Sequence, residues 1–325
     1  MEDNSGKSKH LPWPLMIVLG FGGVIIAALT VGFVALNVRD NMVVYVVLSV
    51  ISIISAISLS RNKAFDGDEV LSLLVAYPLF IIGFAFGYIA GFKYLALTFM
   101  LQFVAAVLSF VFCKIHMCRQ MLICYALVVL PLIFISYFDG LSTLFSHYSK
   151  IPPAIEISCF AIIVAYMGVF AATIKDKWFA STVLKDYLNL IRFVTAIISV
   201  GLLKFIQSDN TVFAVVFAAI SFVIAFALLR KYVTGKRLIE SCALVLLCCA
   251  STAMYPAMAL SIVGMLLSFL ILDYACLFLF SVAFVCGIAK FYYDLDMLLI
   301  DKSYLLLASG ALFLLMFYYI KRVTK

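Results

Sequence analysis

The run LMIVLGFGGVIIAALTVGFVAL, residues 15–36, decides the fold class of this chain. It carries no charge and is as long as the roughly 20 residues that an α-helix needs to cross the hydrocarbon core of a bilayer. A secretory signal peptide would have a shorter apolar core followed by a cleavage site of small residues. The run therefore predicts an uncleaved first transmembrane helix.

The composition extends this prediction to the whole chain. Over 325 residues, 66% are hydrophobic and only 12% are charged, with a mean hydropathy of +1.21. Soluble domains carry about 25% charged residues, so lipid must be the solvent for most of this surface. We expect an all-α, polytopic integral membrane helix bundle that forms a single domain over 1–325, with tails at 1–13 and 321–325.

Counting apolar runs of spanning length predicts about twelve transmembrane helices. The segment 238–291 has few loop signals, and only Pro256 and Asp273 divide it into three spans. If the span before Asp273 continued through it, that carboxylate would be buried and functional; we favour a tight turn there. The predicted spans lie near 14–37, 42–60, 69–90, 94–112, 121–139, 153–174, 188–206, 211–229, 238–254, 256–271, 274–291 and 302–320.

The distribution of basic residues predicts the orientation. Most of the 23 lysines and arginines fall on the side of the predicted membrane that holds the N-terminus. Cytoplasmic loops are enriched in these residues, so both termini are predicted to lie in the cytoplasm, with the helices in a cell inner membrane. The same bias explains the net charge of +7 without a basic domain, and we expect no nucleic-acid partner.

Enzyme and metal signatures are absent from the sequence. None of the nine cysteines form a C-x-x-C pair, which argues against a zinc site and a disulfide framework. The three histidines do not form H-E-x-x-H, and neither G-x-S-x-G nor a Walker-type glycine loop occurs. We therefore predict no catalytic residues, no metal, no cofactor and no enzymatic activity.

Small residues mark faces where helices can approach closely. Gly83, Gly87 and Gly91 follow one another at four-residue spacing in the third predicted span, and Ala28-x-x-x-Gly32 lies in the first. Helix association in lipid depends on such close backbone contact. Packing within the bundle is the favoured interpretation, and a homodimer face is the alternative.

The positions of charged residues and prolines inside the spans indicate their roles. Glu156 falls in the first turn of its predicted helix, where a carboxylate suits the positive end of the helix dipole. Arg192 and Lys204 lie near the two ends of one span, from which their side chains are expected to reach the interface. Pro131 and Pro256 could interrupt helices.

The polar stretch IAKFYYDLDMLLIDKS, residues 288–303, separates the last two apolar runs and is the candidate partner or solute site. Its tyrosines are typical of a membrane interface, and Asp301 or Ser303 would cap the next helix, as in an ordinary anchored loop. We favour this interpretation over a polar site at the external membrane face. The candidate residues are Tyr292, Tyr293, Asp294, Asp296, Asp301 and Lys302.

Two patterns resemble a known family. The pattern FYYxLxxxLxxKSxxLxxSG, residues 291–310, together with Pro12-Trp13 and the later Gly20-Phe21-Gly22, is similar to the bacterial integral membrane family called domain of unknown function 4401. The likeness covers nearly the whole chain. It implies an inner-membrane protein associated with a small membrane-anchored partner that carries a G-D-Y-x-x-L-x-Y motif, and with a related polytopic family.

Together these observations predict a non-enzymatic component of a membrane complex. One alternative is a secondary transporter of a small solute, which predicts helices broken near the membrane midplane. Another is a membrane-embedded enzyme for a lipid-linked substrate, which predicts a titratable pair in a polar cavity built from the 292–303 stretch.

Overall fold

The computed structural model describes residues 13–38, 41–61, 72–91, 94–137, 153–173, 184–206, 211–232 and 255–294, with scattered helical positions within 241–253 and 303–314. All regular structure in these ranges is helical, as predicted. The α-helices are α1 (Trp13–Asn37), α2 (Met42–Arg61), α3 (Tyr77–Ala90), α4 (Leu95–Phe112), α5 (His116–Tyr137), α6 (Pro153–Ala172), α7 (Leu188–Leu202), α8 (Thr211–Tyr232), α9 (Pro256–Ile271) and α10 (Tyr274–Asp294).

Seven of the described helices are long and apolar enough to cross a membrane, so the chain is a membrane-embedded protein. Three further apolar helices are shorter, at Leu74–Ala90, Val212–Ala227 and Pro256–Ile271. The predicted spans 238–254 and 302–320 are described only at scattered positions, so the number twelve stays a prediction. The seven longer candidates are Val18–Asn37, Met42–Arg61, Leu95–Phe112, His116–Tyr137, Pro153–Ala172, Lys185–Phe205 and Tyr274–Tyr293.

The chain divides into two compact units, Met1–Gln207 and Ser208–Lys325. In the first unit α2 packs on α3, α4 on α5, and α6 on α7, while α1 lies against α3. In the second unit α9 packs against both α8 and α10. The single domain predicted over residues 1–325 stays a prediction.

A wide turn precedes α3. Residues Ser72–Ala76 form a π-helical turn that leads directly into α3, whose second residue is Pro78. Proline lacks an amide hydrogen, and its ring crowds the carbonyl four residues earlier, so a regular α-turn cannot be made across this point. The π-turn accommodates the proline without ending the helix.

Pro131 does not break α5, which runs without interruption from His116 to Tyr137. The proline leaves the carbonyl of Leu127, four residues earlier, without its usual amide donor. The Tyr166 hydroxyl on α6 donates a hydrogen bond to this carbonyl. In a bilayer every backbone polar group needs a protein partner, and here a neighbouring helix supplies it. Pro256 likewise begins α9 instead of interrupting it.

The turn predicted at Asp273 is present. α9 ends at Ile271, and Leu272 adopts a left-handed conformation with φ 60°. The amide of Asp273 donates back to the Ser268 carbonyl at 3.0 Å, which closes the helix end. The Asp273 carboxylate accepts from the Cys276 amide at 3.2 Å and so caps the start of α10. The alternative of one span continuing through Asp273 is wrong.

Candidate functional site

Within the predicted 292–303 stretch the structure describes residues 292–294 and Ser303. α10 continues through Asp294, which places Tyr292 and Tyr293 in its last turn rather than in a loop. Their rings meet edge to face with centroids 5.9 Å apart; Tyr292 is half-buried and Tyr293 is 79% exposed. The Asp294 side chain and all of Asp296, Asp301 and Lys302 lie outside the described residues. Their convergence on one site stays a prediction.

Gly83 and Gly87 of α3 lie against neighbouring helices of the same unit. A Cβ placed on Gly83 would be 2.6 Å from Ile53 Cγ1 and 3.2 Å from the Ser49 carbonyl oxygen, both on α2. A Cβ on Gly87 would lie 3.1 Å from Ser49 Oγ and 3.3 Å from Gln102 Nε2 on α4. These contacts are those of a helix packed within its bundle.

Gly91, the third of the three regularly spaced glycines, lies at the end of α3. A Cβ on Gly91 would collide with the Thr98 hydroxyl of α4. That hydroxyl donates to the carbonyls of Gly91, at 2.8 Å, and Tyr94, at 3.0 Å. Thr98 is buried, so it has little room to yield. Because Gly91 has no Cβ, the Thr98 hydroxyl of α4 can form a hydrogen bond to the Gly91 carbonyl at the end of α3.

A polar network joins α3, α4 and α5 near the middle of the helices. The buried Gln102 amide donates to the Phe84 carbonyl at 2.9 Å and accepts from the Tyr125 hydroxyl at 2.6 Å. The Phe84 and Tyr125 rings stack with centroids 4.2 Å apart. On the other side of α3, the Ser49 hydroxyl donates to the Gly83 carbonyl at 2.7 Å. These polar groups connect helices to one another, which is a structural use.

Two arginines cap the C-terminus of α4. Arg61, at the end of α2, donates through Nε to the Phe112 carbonyl at 3.1 Å. Arg119, in the first turn of α5, donates through Nε to the Cys113 carbonyl at 2.6 Å. The last carbonyls of a helix lack intrahelical partners and carry the negative end of its dipole, so cations stabilise them.

Arg192 has the same role at the end of α6. Its Nε donates to Thr173 Oγ1 at 2.8 Å and its Nη2 donates to the Thr173 carbonyl at 2.9 Å. Its Nη1 donates to Asn189 Oδ1 at 3.2 Å. Arg192 is only 7% exposed. Its guanidinium reaches the end of the preceding helix inside the protein, and its extension to the membrane interface stays a prediction. Lys204 is exposed.

A pair of thiols lies beside the two capping arginines. Cys113, in the turn between α4 and α5, and Cys118, in α5, are fully buried in one apolar cluster. The hydrogen bond from the Cys118 thiol lowers the pKa of the Cys113 thiol below its ordinary value, against the opposing effect of burial; Ser60 and the charge of Arg119 act in the same direction as Cys118. Burial limits the access of reagents to both thiols. We therefore interpret Cys113 and Cys118 as core packing residues that also form a hydrogen bond with each other.

Among the described residues no group of three or more His, Cys, Asp or Glu side chains is arranged to hold a metal ion. Glu156 lies in the first turn of α6, where the sequence places it, and is buried. Sequence analysis missed Gln102 and Arg61 as structural anchors. Gln102 was visible as an amide inside an apolar run, whereas nothing in the sequence shows that Arg61 meets a helix end 51 residues later.

The comparisons with known proteins identify a family. The model of the family described as Domain of unknown function (DUF4401) matches residues 12–323. The match covers nearly the whole chain, so the protein belongs to this family. Neither a curated protein nor a solved structure matches the chain.

Proposed function

We propose that this family member is a non-enzymatic component of a membrane complex in a bacterial inner membrane, with both termini in the cytoplasm. The observation that carries the proposal is the use of polar side chains within the helices. Gln102, Tyr125, Ser49 and Arg192 all make hydrogen bonds that join one helix to another. Such an arrangement favours a scaffold over a solute path, because the polar groups are already engaged.

The orientation part of the proposal rests on where the arginines lie. Arg61 and Arg119 meet at the end of α4, and the Tyr187 ring, just before α7, stacks on His116 at 4.8 Å. Arg192 follows one turn later in α7. Basic residues therefore gather at one end of the first unit, and the positive-inside rule assigns this end to the cytoplasm.

The partner we propose is a small membrane-anchored protein, as the family resemblance implies. Its binding site would be the end of α10 and the stretch that follows, with Tyr292 and Tyr293 as its aromatic part. Tyr293 is exposed at a helix end, in a stretch that also contains three acidic residues and two lysines. Exposed tyrosines are favoured at interfaces because they combine apolar area with a hydrogen-bonding group.

The test is a pull-down of the tagged full-length protein in a gentle detergent, followed by mass spectrometry of the retained proteins. We expect a stoichiometric small membrane-anchored partner with the wild type and at least a tenfold loss with Tyr293→Ala, which removes an anchor aromatic residue. The matched control is Tyr274→Ala, because Tyr274 is 77% exposed at the other end of the same helix. A partner-free monomer would refute the proposal, and equal losses in both variants would refute the site.

A transporter is the second candidate, and the π-turn at Ser72–Ala76 favours it. Such turns frequently mark functional positions, and transporters use interrupted helices. A water-filled path at this turn would make Tyr77→Cys react with a membrane-impermeant thiol reagent above the wild-type background. A scaffold predicts no added reaction, since Tyr77 packs against the buried cluster that contains Phe80 and Cys118.

A further inference from the structure

Two cations lie at the turn between α4 and α5, one from the end of α2 and one from the turn itself. Arg61 is exposed, and its guanidinium carbon lies 5.4 Å from the centre of the Phe112 ring while its Nε bonds the Phe112 carbonyl. Lys114, two residues further along the chain, is also exposed. Among the described residues Lys114 has no hydrogen bond or ion pair, and the terminal amino groups of Arg61 have none either.

An apolar surface adjoins these cations. Leu108, Val111 and Phe112 occupy the last turns of α4 and are all exposed. On a helix that crosses a membrane, such side chains face lipid acyl chains. The charged groups at the end of the helix match the headgroup of a phospholipid, and the apolar groups along its last turns match an acyl chain.

We propose that this turn binds an anionic phospholipid, with Arg61 and Lys114 at the phosphate and the exposed α4 side chains along an acyl chain. The bonds that Arg61 makes to Phe112 hold the guanidinium in place before a lipid arrives, so little side-chain freedom is lost on binding. The terminal amino groups of arginine match two phosphate oxygens in a fork.

The two cations themselves favour an anionic lipid over a zwitterionic one. No described carboxylate bonds Arg61 or Lys114. A lipid with a net negative charge would neutralise these cations, whereas a choline headgroup would bring a further positive charge to them.

The experiment uses the delipidated full-length protein in a mild detergent. Phosphatidylglycerol, phosphatidylcholine or inorganic phosphate is added in turn, and native mass spectrometry measures the bound species. We expect one phosphatidylglycerol to be retained well above phosphatidylcholine. Each basic residue near an anionic lipid surface strengthens binding by about fivefold, so Arg61→Gln with Lys114→Gln should weaken it by about 25-fold.

The control is Lys204→Gln with Lys290→Gln, because both lysines are exposed and the charge change is the same. This control should stay within about twofold of the wild type. Lys114→Gln alone leaves the cap on α4 intact and should still weaken binding about fivefold, which tests the site even if loss of Arg61 prevents folding. Equal losses in the control, equal retention of phosphatidylcholine, or displacement by inorganic phosphate would overturn the proposal.

Discussion

Helices α1 and α3 carry the same kind of sequence signal and meet different surroundings. Both are rich in glycine at spacings that allow close helix approach. On α1, a Cβ added to Gly20, Gly22 or Gly32 would have nothing within 4 Å. On α3, a Cβ on Gly83 or Gly91 would collide with a neighbouring side chain. Spacing therefore identifies a face that permits close approach and does not identify what approaches it.

The difference lies in the neighbouring helices. The α3 glycines meet Ser49, Thr98 and Gln102, whose side chains donate to carbonyls of α3. A glycine brings the helix backbone closer to its neighbour, so that short side chains such as those of Ser49 and Thr98 can reach its carbonyls. On α1 the exposed face carries Leu29 and Phe33. Within the described residues, no hydrogen bond of this kind is made to the backbone of that face. Close packing and backbone hydrogen bonding thus occur together on α3.

The largest effect is expected from Gly83→Leu. The new side chain would displace Ile53 and press against the α2 backbone at Ser49. Overpacking of this kind costs about 3 kcal/mol, which would lower the free energy of unfolding measured by titration with a denaturing detergent. Gly32→Leu on α1 is the matched control, and its larger side chain would extend into open space. Similar losses for both variants would remove the distinction between the two helices.

Gly91→Ala should cost about 2 kcal/mol in the same measurement, because the methyl group forces the Thr98 hydroxyl away from the Gly91 carbonyl. A double-mutant cycle with Thr98→Ala isolates this contact. Thr98→Ala makes room, so Gly91→Ala should cost less on that background. Additive effects would show that the collision with Thr98 is not the cause.

Gln102→Leu is expected to cost about 1 kcal/mol, because interhelical hydrogen bonds in membranes contribute roughly this much. The substitution leaves the half-buried Tyr125 hydroxyl without the acceptor it now has and removes a donor from the Phe84 carbonyl. Adding Tyr125→Phe should recover part of the loss, since the unpaired hydroxyl is then gone. Failure of the second substitution to recover any stability would contradict the network.

The sequence predicted the fold class well because hydrophobicity and length determine it. The run at residues 15–36 and the break at Asp273 were both identified from composition and turn chemistry, and the helices end where these signals fall. The candidate site was harder to predict. A buried Arg192 and a capping Arg61 depend on helix ends that are distant in the sequence, and no periodicity reports which ends meet.

The smallest effect is expected from Gly32→Ala, and it tests the homodimer alternative. Alanine is the better helix former and a Cβ at this position has nothing within 4 Å, so the free energy of unfolding should rise by no more than about 0.5 kcal/mol. Ala28 and Gly32 are both exposed, which is the arrangement a second copy of α1 would need. A dimer formed through this face would instead weaken with Gly32→Ile, which crosslinking in the membrane would detect as lost dimer. Unchanged crosslinking together with unchanged stability would mean that lipid covers this face of α1.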